Sequence, residues 1–142
     1  MEVKEINPTD SYQELIKKNF ALIDVRTNAE FVFVGKVDLG KISGKSTLAP
    51  WRTFPDMNIN NNFQTELEDY LNKEFRNENI LDINLIFMCR SGVRSLEAAA
   101  YATSLGFKNC YNMTSGFEGN INSNGHRSTI DGWKAENLPW TQ

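Results

Sequence analysis

Leu85-Ile86-Phe87-Met88 restricts the fold more than any other stretch of this chain. Four apolar residues in a row are too few for a helix and leave no polar face, so they suit a strand buried on both sides. Next come Cys89, Arg90, Ser91, Gly92, Val93, Arg94 and Ser95, and then residues 96–105, an alanine-rich run of good helix formers that stops at Gly106. The pattern is strand, short loop, helix. Such a loop aims backbone N–H groups inward while the helix adds the positive end of its dipole, so the enclosed space favours an anion. A cysteine delivered to that position is expected to ionise readily.

A second buried strand is predicted over residues 20–25, where Phe20-Ala21-Leu22-Ile23 precedes Asp24-Val25-Arg26, and Thr27 or Asn28 can cap a short helix through Phe33. Asp24 and Arg26, two residues apart, project to one face at the end of the strand where open parallel sheets place their sites. Two readings stand: an ion pair that fixes neighbouring loops, or direct contact with substrate. Before this strand, residues 2–6 alternate weakly and suit an edge strand. Pro8 with Thr9 or Asp10 signals the start of a helix, expected over residues 11–18.

Residues 35–62 are irregular, punctuated by Gly35, Gly40, Gly44, Pro50 and Pro55, and only residues 46–49 look strand-like. A connection this long is a functional loop or an insertion; within it Trp51 is expected to pack, and Trp51-Arg52 can also form a cleft rim. Phe63, Leu67, Tyr70, Leu71 and Phe75 recur at helical spacing with charges between them, an amphipathic helix laid on the sheet. Residues 110–113 read as a last strand, followed by a glycine-punctuated tail that Trp133, Leu138, Pro139 and Trp140 clamp down. Strands alternate with helices along most of the chain, so the fold class is α/β, a parallel sheet covered on both faces, with Cys89 at a strand's carboxyl end.

The length of 142 residues with 40% apolar content fits one domain over residues 1–142. A net charge of -3 without a basic run argues against general nucleic-acid binding. No apolar run approaches a membrane span and the N-terminus lacks the apolar core of a signal peptide, so no membrane is expected and a cytoplasmic location is. The two cysteines do not suggest a disulfide scaffold. Cys110 reads as a buried, inert thiol, or alternatively as a resolving partner for Cys89. His126 lies in Asn124-Gly125-His126-Arg127, a loop, and is expected to be exposed or structurally hydrogen-bonded. One histidine and two distant cysteines cannot make a closed zinc site, so no metal and no cofactor are expected.

With these residues in view, the chain resembles the single-domain rhodanese family of sulfurtransferases over nearly its whole length. Phe20 to Arg26 is similar to the family's strand ending in Asp-Val-Arg, with Glu30-Phe31 after it, and Cys89 to Ser95 resembles its Cys-Arg-Ser-Gly-x-Arg-Ser loop. Gly116-Phe117-Glu118-Gly119, Trp133 and Leu138-Pro139 resemble its ending. Residues 35–50 depart from the family's short Gly-His-Ile-x-Gly-Ala run. The resemblance implies a three-layer α/β/α rhodanese-like domain around a mostly parallel five-stranded sheet. It also implies sulfur transfer from a donor such as thiosulfate, through a persulfide on Cys89, to a thiol, cyanide or protein acceptor. Arg90, Ser91, Gly92, Val93, Arg94 and Ser95 would bind the anion, and Asp24 and Arg26 would support them. Arg90 and Arg94 either raise the positive potential of the pocket or point to solvent.

Two alternatives remain. A cysteine-dependent phosphatase or arsenate reductase uses a related loop, but carries its phosphate-gripping arginine six residues after the cysteine. Here that position is Ser95 and the arginine arrives one residue sooner, giving a loop better sized for one sulfur atom than for a phosphate. A non-catalytic module, or a persulfide carrier for a protein partner, is the other.

Overall fold

A computed structural model describes residues 2–142. Its centre is a five-stranded sheet of β1 (Lys4–Ile6), β2 (Phe20–Asp24), β3 (Ser46–Leu48), β4 (Asn84–Met88) and β5 (Asn109–Met113), all parallel, in the order β1-β5-β4-β2-β3. Four helices accompany it: α1 (Pro8–Leu15), α2 (Asn28–Phe33), α3 (Phe63–Glu74) and α4 (Val93–Ser104).

The apolar runs form strands because both of their faces find cover. Ala21, Ile23, Leu85 and Phe87 point to one side, where they meet Phe63, Leu67 and Leu71 of α3 and Ala98, Ala99 and Ala102 of α4. Leu22, Ile86 and Met88 point to the other, against Leu15 of α1 and against Phe117 and Trp133 of the C-terminal tail. This period-two division is what an α/β sheet buried on both faces requires. The alanines of α4 bring its axis close over β4, and the large residues of α3 fill the remaining width.

Chain order locates the functional end of the sheet. From β2 the chain proceeds through α2 to β3 on one side, and from β4 through α4 to β5 on the other. The two connections diverge, leaving a crevice beyond the carboxyl ends of β2 and β4, where ligands bind in open α/β sheets. Asp24 pairs in register with Met88, so residues 24–26 and 89–95 leave the sheet side by side.

Several boundaries differ from expectation. The first helix begins three residues earlier than residues 11–18, because Asn7 caps it by accepting from Asp10 N at 2.8 Å and Pro8 occupies its first turn. It ends at Leu15, and the chain turns into β2 through Asn19 at φ 67°. Residues 35–62 are more ordered than their composition predicts. They hold a 3₁₀ segment, Gly40–Lys45, before β3, and a small antiparallel ribbon of Arg52–Thr53 with Asn58–Ile59. Lys36–Val37 pairs antiparallel with Trp140–Thr141, so the end of the tail is tied down by backbone bonds as well as by Trp133, whose Nε1 donates to Pro139 O at 2.7 Å. Among the described residues no helix is long and apolar enough to cross a membrane.

Candidate active site

The residue after β4 is Cys89, whose side chain falls on the α4 side of the sheet and is 1% exposed. Its Sγ accepts hydrogen bonds from Gly92 N at 3.1 Å and from Ser95 Oγ at 3.3 Å. Gly92 is the N-cap of α4 and stands at φ +113°, a conformation that a side chain resists, and this turn is what swings its N–H back onto the sulfur. No side chain caps α4, so the positive end of the helix faces the loop unblocked.

The orientation of the other loop amides follows from their carbonyls. Cys89 O accepts from Phe117 N at 2.9 Å, and Arg90 O accepts from Glu118 N at 3.0 Å and Gly119 N at 3.2 Å. In a trans peptide the C=O and the following N–H point in opposite directions. Tying the Cys89 and Arg90 carbonyls to the tail therefore turns the N–H groups of Arg90 and Ser91 away from it. The tail must come very close to do this: a Cβ at Gly116 would lie 2.4 Å from Cys89 O and 2.7 Å from Arg90 C and O. Only glycine permits that approach.

A second support comes from β5. Asn112 pairs in register with Phe87 and so shares the α4 face with Cys89. Its Oδ1 accepts from Ser95 Oγ at 2.5 Å and its Nδ2 donates to Gly92 O at 3.1 Å, so one buried amide joins the start of α4 to the turn before it. The Ser95 hydroxyl has a single hydrogen, which serves either Asn112 or the Cys89 sulfur at any instant.

The expected charged residues separate into distinct roles. Asp24 and Arg26 form a buried ion pair, Arg26 Nε to Asp24 Oδ1 at 2.9 Å and Nη2 to Oδ2 at 2.7 Å. Arg26 is 0% exposed, donates again to Gly35 O at 2.8 Å and stacks with its guanidinium 4.3 Å from the centre of the Phe117 ring. It thus fixes the loop after α2 and the tail that anchors the Cys89 loop. Arg94 is bound bidentately by Glu30, Nη1 to Oε1 at 2.7 Å and Nη2 to Oε2 at 2.8 Å. Burial alone would raise the Glu30 carboxyl; the Arg94 guanidinium, helped by Thr27, overcomes this and holds it at about 2. The bond to Glu30 likewise raises Arg94, which stays charged. Glu30 is fixed from its own side by a reciprocal capping box with Thr27 at the start of α2. Arg90 is exposed and makes no ion pair among the described residues. Ser91 is half-buried and Val93 is 70% exposed, its side chain outside the loop.

Cys110 is 2% exposed and burial pushes its thiol up. It pairs in register with Leu85, four positions before Cys89 on β4, which at about 3.3 Å per residue puts the two cysteines roughly 13 Å apart along the sheet. A disulfide needs Cα atoms within about 7 Å, so Cys110 is no resolving partner for Cys89 in this fold. His126 is exposed, in a loop closed by Asn122 Oδ1 accepting from His126 N at 2.9 Å. Among the described residues no three His, Cys, Asp or Glu side chains are grouped to hold a metal.

Asn112 was not legible as a site residue from sequence, although a polar side chain on the buried parity of β5, beside Cys110, is the signal that finds it. Glu30 and Gly116 belong to matched motifs, but their roles required the fold.

A family model for the rhodanese-like domain matches residues 7–122. The chain is 36% identical over 141 residues to the protein RP600 of Rickettsia prowazekii, covering 99% of this chain and 98% of that one. Among solved structures it is similar to the crystal structure of Rv0390 from M. tuberculosis, with TM-score 0.81 and 35% identity, covering 100% of this chain and 99% of that one. The polysulfide-sulfur transferase homodimer of Wolinella succinogenes shares the fold at TM-score 0.65 and 20% identity, covering 98% and 78%. The match spans β2, the cysteine loop and the glycine turn that anchors it, and with identity above one third along the full length of two relatives the chain belongs to the rhodanese-like domain family.

Proposed function

We propose that this protein is a sulfurtransferase that carries a sulfane sulfur as a persulfide on Cys89. The observation that carries the reading is the environment of that sulfur: Gly92 N–H and the Ser95 hydroxyl donate to it, while the carbonyls of Cys89 and Arg90 are tied away from it. Such a cradle stabilises negative charge on one sulfur atom with dipoles already oriented.

The reaction has two steps. The Cys89 thiol first loses its proton to solvent. The thiolate then attacks the outer sulfur of a donor; with thiosulfate, a new S–S bond forms to Cys89, the donor's S–S bond breaks, and its electron pair leaves with sulfite. The persulfide is anionic and stays within reach of the same donors. As charge builds on sulfur, the Ser95 hydrogen shifts its allegiance from Asn112 to the sulfur, and Asn112 keeps the hydroxyl in place. A nucleophilic acceptor then attacks the outer sulfur, the Cys89–sulfur bond breaks, and the thiolate is restored. Since Cys110 lies remote from the loop, the acceptor comes from outside the chain.

The phosphatase alternative is disfavoured by two features. Ser95, not an arginine, stands six residues after Cys89, and Arg94 already has both carboxylate oxygens of Glu30 in the fork of its Nη1 and Nη2. The name of the Wolinella neighbour agrees with sulfur chemistry on this fold, but at 20% identity it supports the fold alone. The test is mass spectrometry after incubation with thiosulfate. The protein should gain the mass of one sulfur atom on Cys89 and release sulfite, and Cys89→Ser should do neither. Equal labelling of the Cys89→Ser variant, or robust Cys89-dependent hydrolysis of an aryl phosphate, would overturn the reading.

A further inference from the structure

Beside the Cys89 loop lies an open cleft of about 390 Å³. Its walls are Ala29 and Phe33 of α2, Val34 just after that helix, and Phe54 and Met57 from the turn of the Arg52–Thr53 ribbon, and Arg90, the neighbour of Cys89 in the chain, also lines it. The volume falls within the roughly 300–1,000 Å³ of pockets that take organic ligands. A compact inorganic ion would need only the loop.

The cleft joins two chemical features. First, its walls are apolar and uncovered: Phe33 is 75% exposed and Phe54 69% exposed, an unusual state for two phenylalanines on either side of one opening. Second, its charge is unbalanced. Glu30 and Arg94, which also line it, neutralise each other, and Arg90 is left without a carboxylate among the described residues. The ligand that complements this arrangement has an apolar body for the phenylalanines and a single negative charge, next to its transferable sulfur, for Arg90. Thiosulfate lacks the apolar body and carries two charges.

Resting on the sulfur-transfer reading, we infer that this cleft selects an organic, singly charged sulfur donor, of the thiosulfonate or organic persulfide class, with Phe33 and Phe54 as the determinants of that preference. With an organic thiosulfonate the step balances as it does with thiosulfate. The Cys89 thiolate bonds to the outer sulfur, the bond from that sulfur to the sulfonyl sulfur breaks, and the electron pair leaves as the organic sulfinate. One negative charge on the thiolate and one on the donor become one on the persulfide and one on the sulfinate.

The experiment compares methanethiosulfonate with benzenethiosulfonate, which share the reacting group and differ in apolar area. The kcat/KM for persulfide formation on the full chain is measured for both donors in the wild type, Phe33→Ala and Phe54→Ala. In the wild type benzenethiosulfonate should be preferred by more than the ratio of the two donors' rates with a small free thiol. Each substitution should lower that preference about tenfold, the effect of removing one well-covered aromatic contact. Both side chains are mostly exposed, so their truncation leaves the core intact. A preference no greater than that of the free thiol, or one unmoved by both substitutions, overturns the inference while the sulfur-transfer reading stands. If no donor places sulfur on Cys89, both fall.

Discussion

Arg94 and Glu30 meet through two parallel hydrogen bonds, at 2.7 and 2.8 Å, that fasten the first turn of α4 to the first turn of α2. The pair stands at the mouth of the Cys89 loop, yet its geometry is that of a strut. Because Glu30 is held at about 2, well below its ordinary 4.5, the pair stabilises the folded state above the unfolded carboxyl's pKa, and that contribution is lost as pH falls from about 4.5 through 2. Glu30→Gln should therefore cost about 1–3 kcal/mol at pH 7, between the values for exposed and buried pairs. Urea unfolding of both proteins from pH 7 to pH 2 reads this directly. The gap between them should shrink below about pH 4.5; a gap that stays constant across the range rules out the ion pair as its source.

That pair marks where the sequence ceased to be sufficient. β2, β4 and α4 were readable because burial on both faces leaves an uninterrupted apolar run, as in Leu85 to Met88, and because Gly106 stops an alanine-rich helix. Cys89 was readable because the same run ends on it. Arg94 was ambiguous, pocket or solvent, because its partner lies 64 residues away on an element that only the fold brings alongside. The ribbon of Lys36–Val37 with Trp140–Thr141 was invisible for the same reason: two-residue strands have no period, and their pairing is decided by the tail's packing around Trp133. The start of α1 was misjudged where a local cue, the Asn7 side chain, outweighed the spacing of the helix itself.

Asn112 connects β5 to both ends of the loop turn, and its removal is expected to loosen what it joins. Asn112→Ala deletes two hydrogen bonds in a buried setting, leaving Gly92 O with Leu96 N alone and the Ser95 hydroxyl with the Cys89 sulfur alone. The cost should be about 2–3 kcal/mol in stability. Persulfide formation should fall about tenfold or more at a temperature where the variant is fully folded, since Gly92 N and Ser95 Oγ are the two donors on the Cys89 sulfur. Asn112→Asp retains an acceptor for Ser95 but loses the donor to Gly92 O and adds a carboxylate beside an anionic sulfur, so it should be at least as slow. Unchanged rates in both variants would show that the amide has no part in holding the loop.

Cys110 offers a prediction of indifference. Its thiol is buried, lies roughly 13 Å along the sheet from Cys89 and is pushed up by desolvation, so in the folded protein it should resist alkylation at pH 8. Cys110→Ser should retain sulfur transfer within about twofold and lose about 1–2 kcal/mol of stability from the hydroxyl placed in an apolar site. Oxidation of the wild type should yield no intramolecular disulfide on non-reducing peptide mapping. A Cys89–Cys110 bridge, or a large loss of turnover in a folded Cys110→Ser protein, would require the sheet to open in a way that the register forbids.

Gly116 and Gly125 separate strain from collision. Both have left-handed backbones, φ +64° and +78°, so an alanine at either costs about 1–2 kcal/mol from conformation alone. A Cβ at Gly125 meets nothing within 4 Å, whereas one at Gly116 runs into the backbone of Cys89 and Arg90. No side-chain rotation relieves a backbone clash, so Gly116→Ala must push the tail away from the loop and release the Cys89 and Arg90 carbonyls. Once those peptides are free to rotate, the turn that aims Gly92 N at the Cys89 sulfur loses its anchor to the tail. Gly125→Ala should thus lower the melting temperature modestly and keep its sulfur-transfer rate. Gly116→Ala should lose more stability and at least tenfold in persulfide formation, measured below its own melting transition. If the two variants lose rate equally, the tail's grip on the loop carbonyls is not what orients the amides around Cys89.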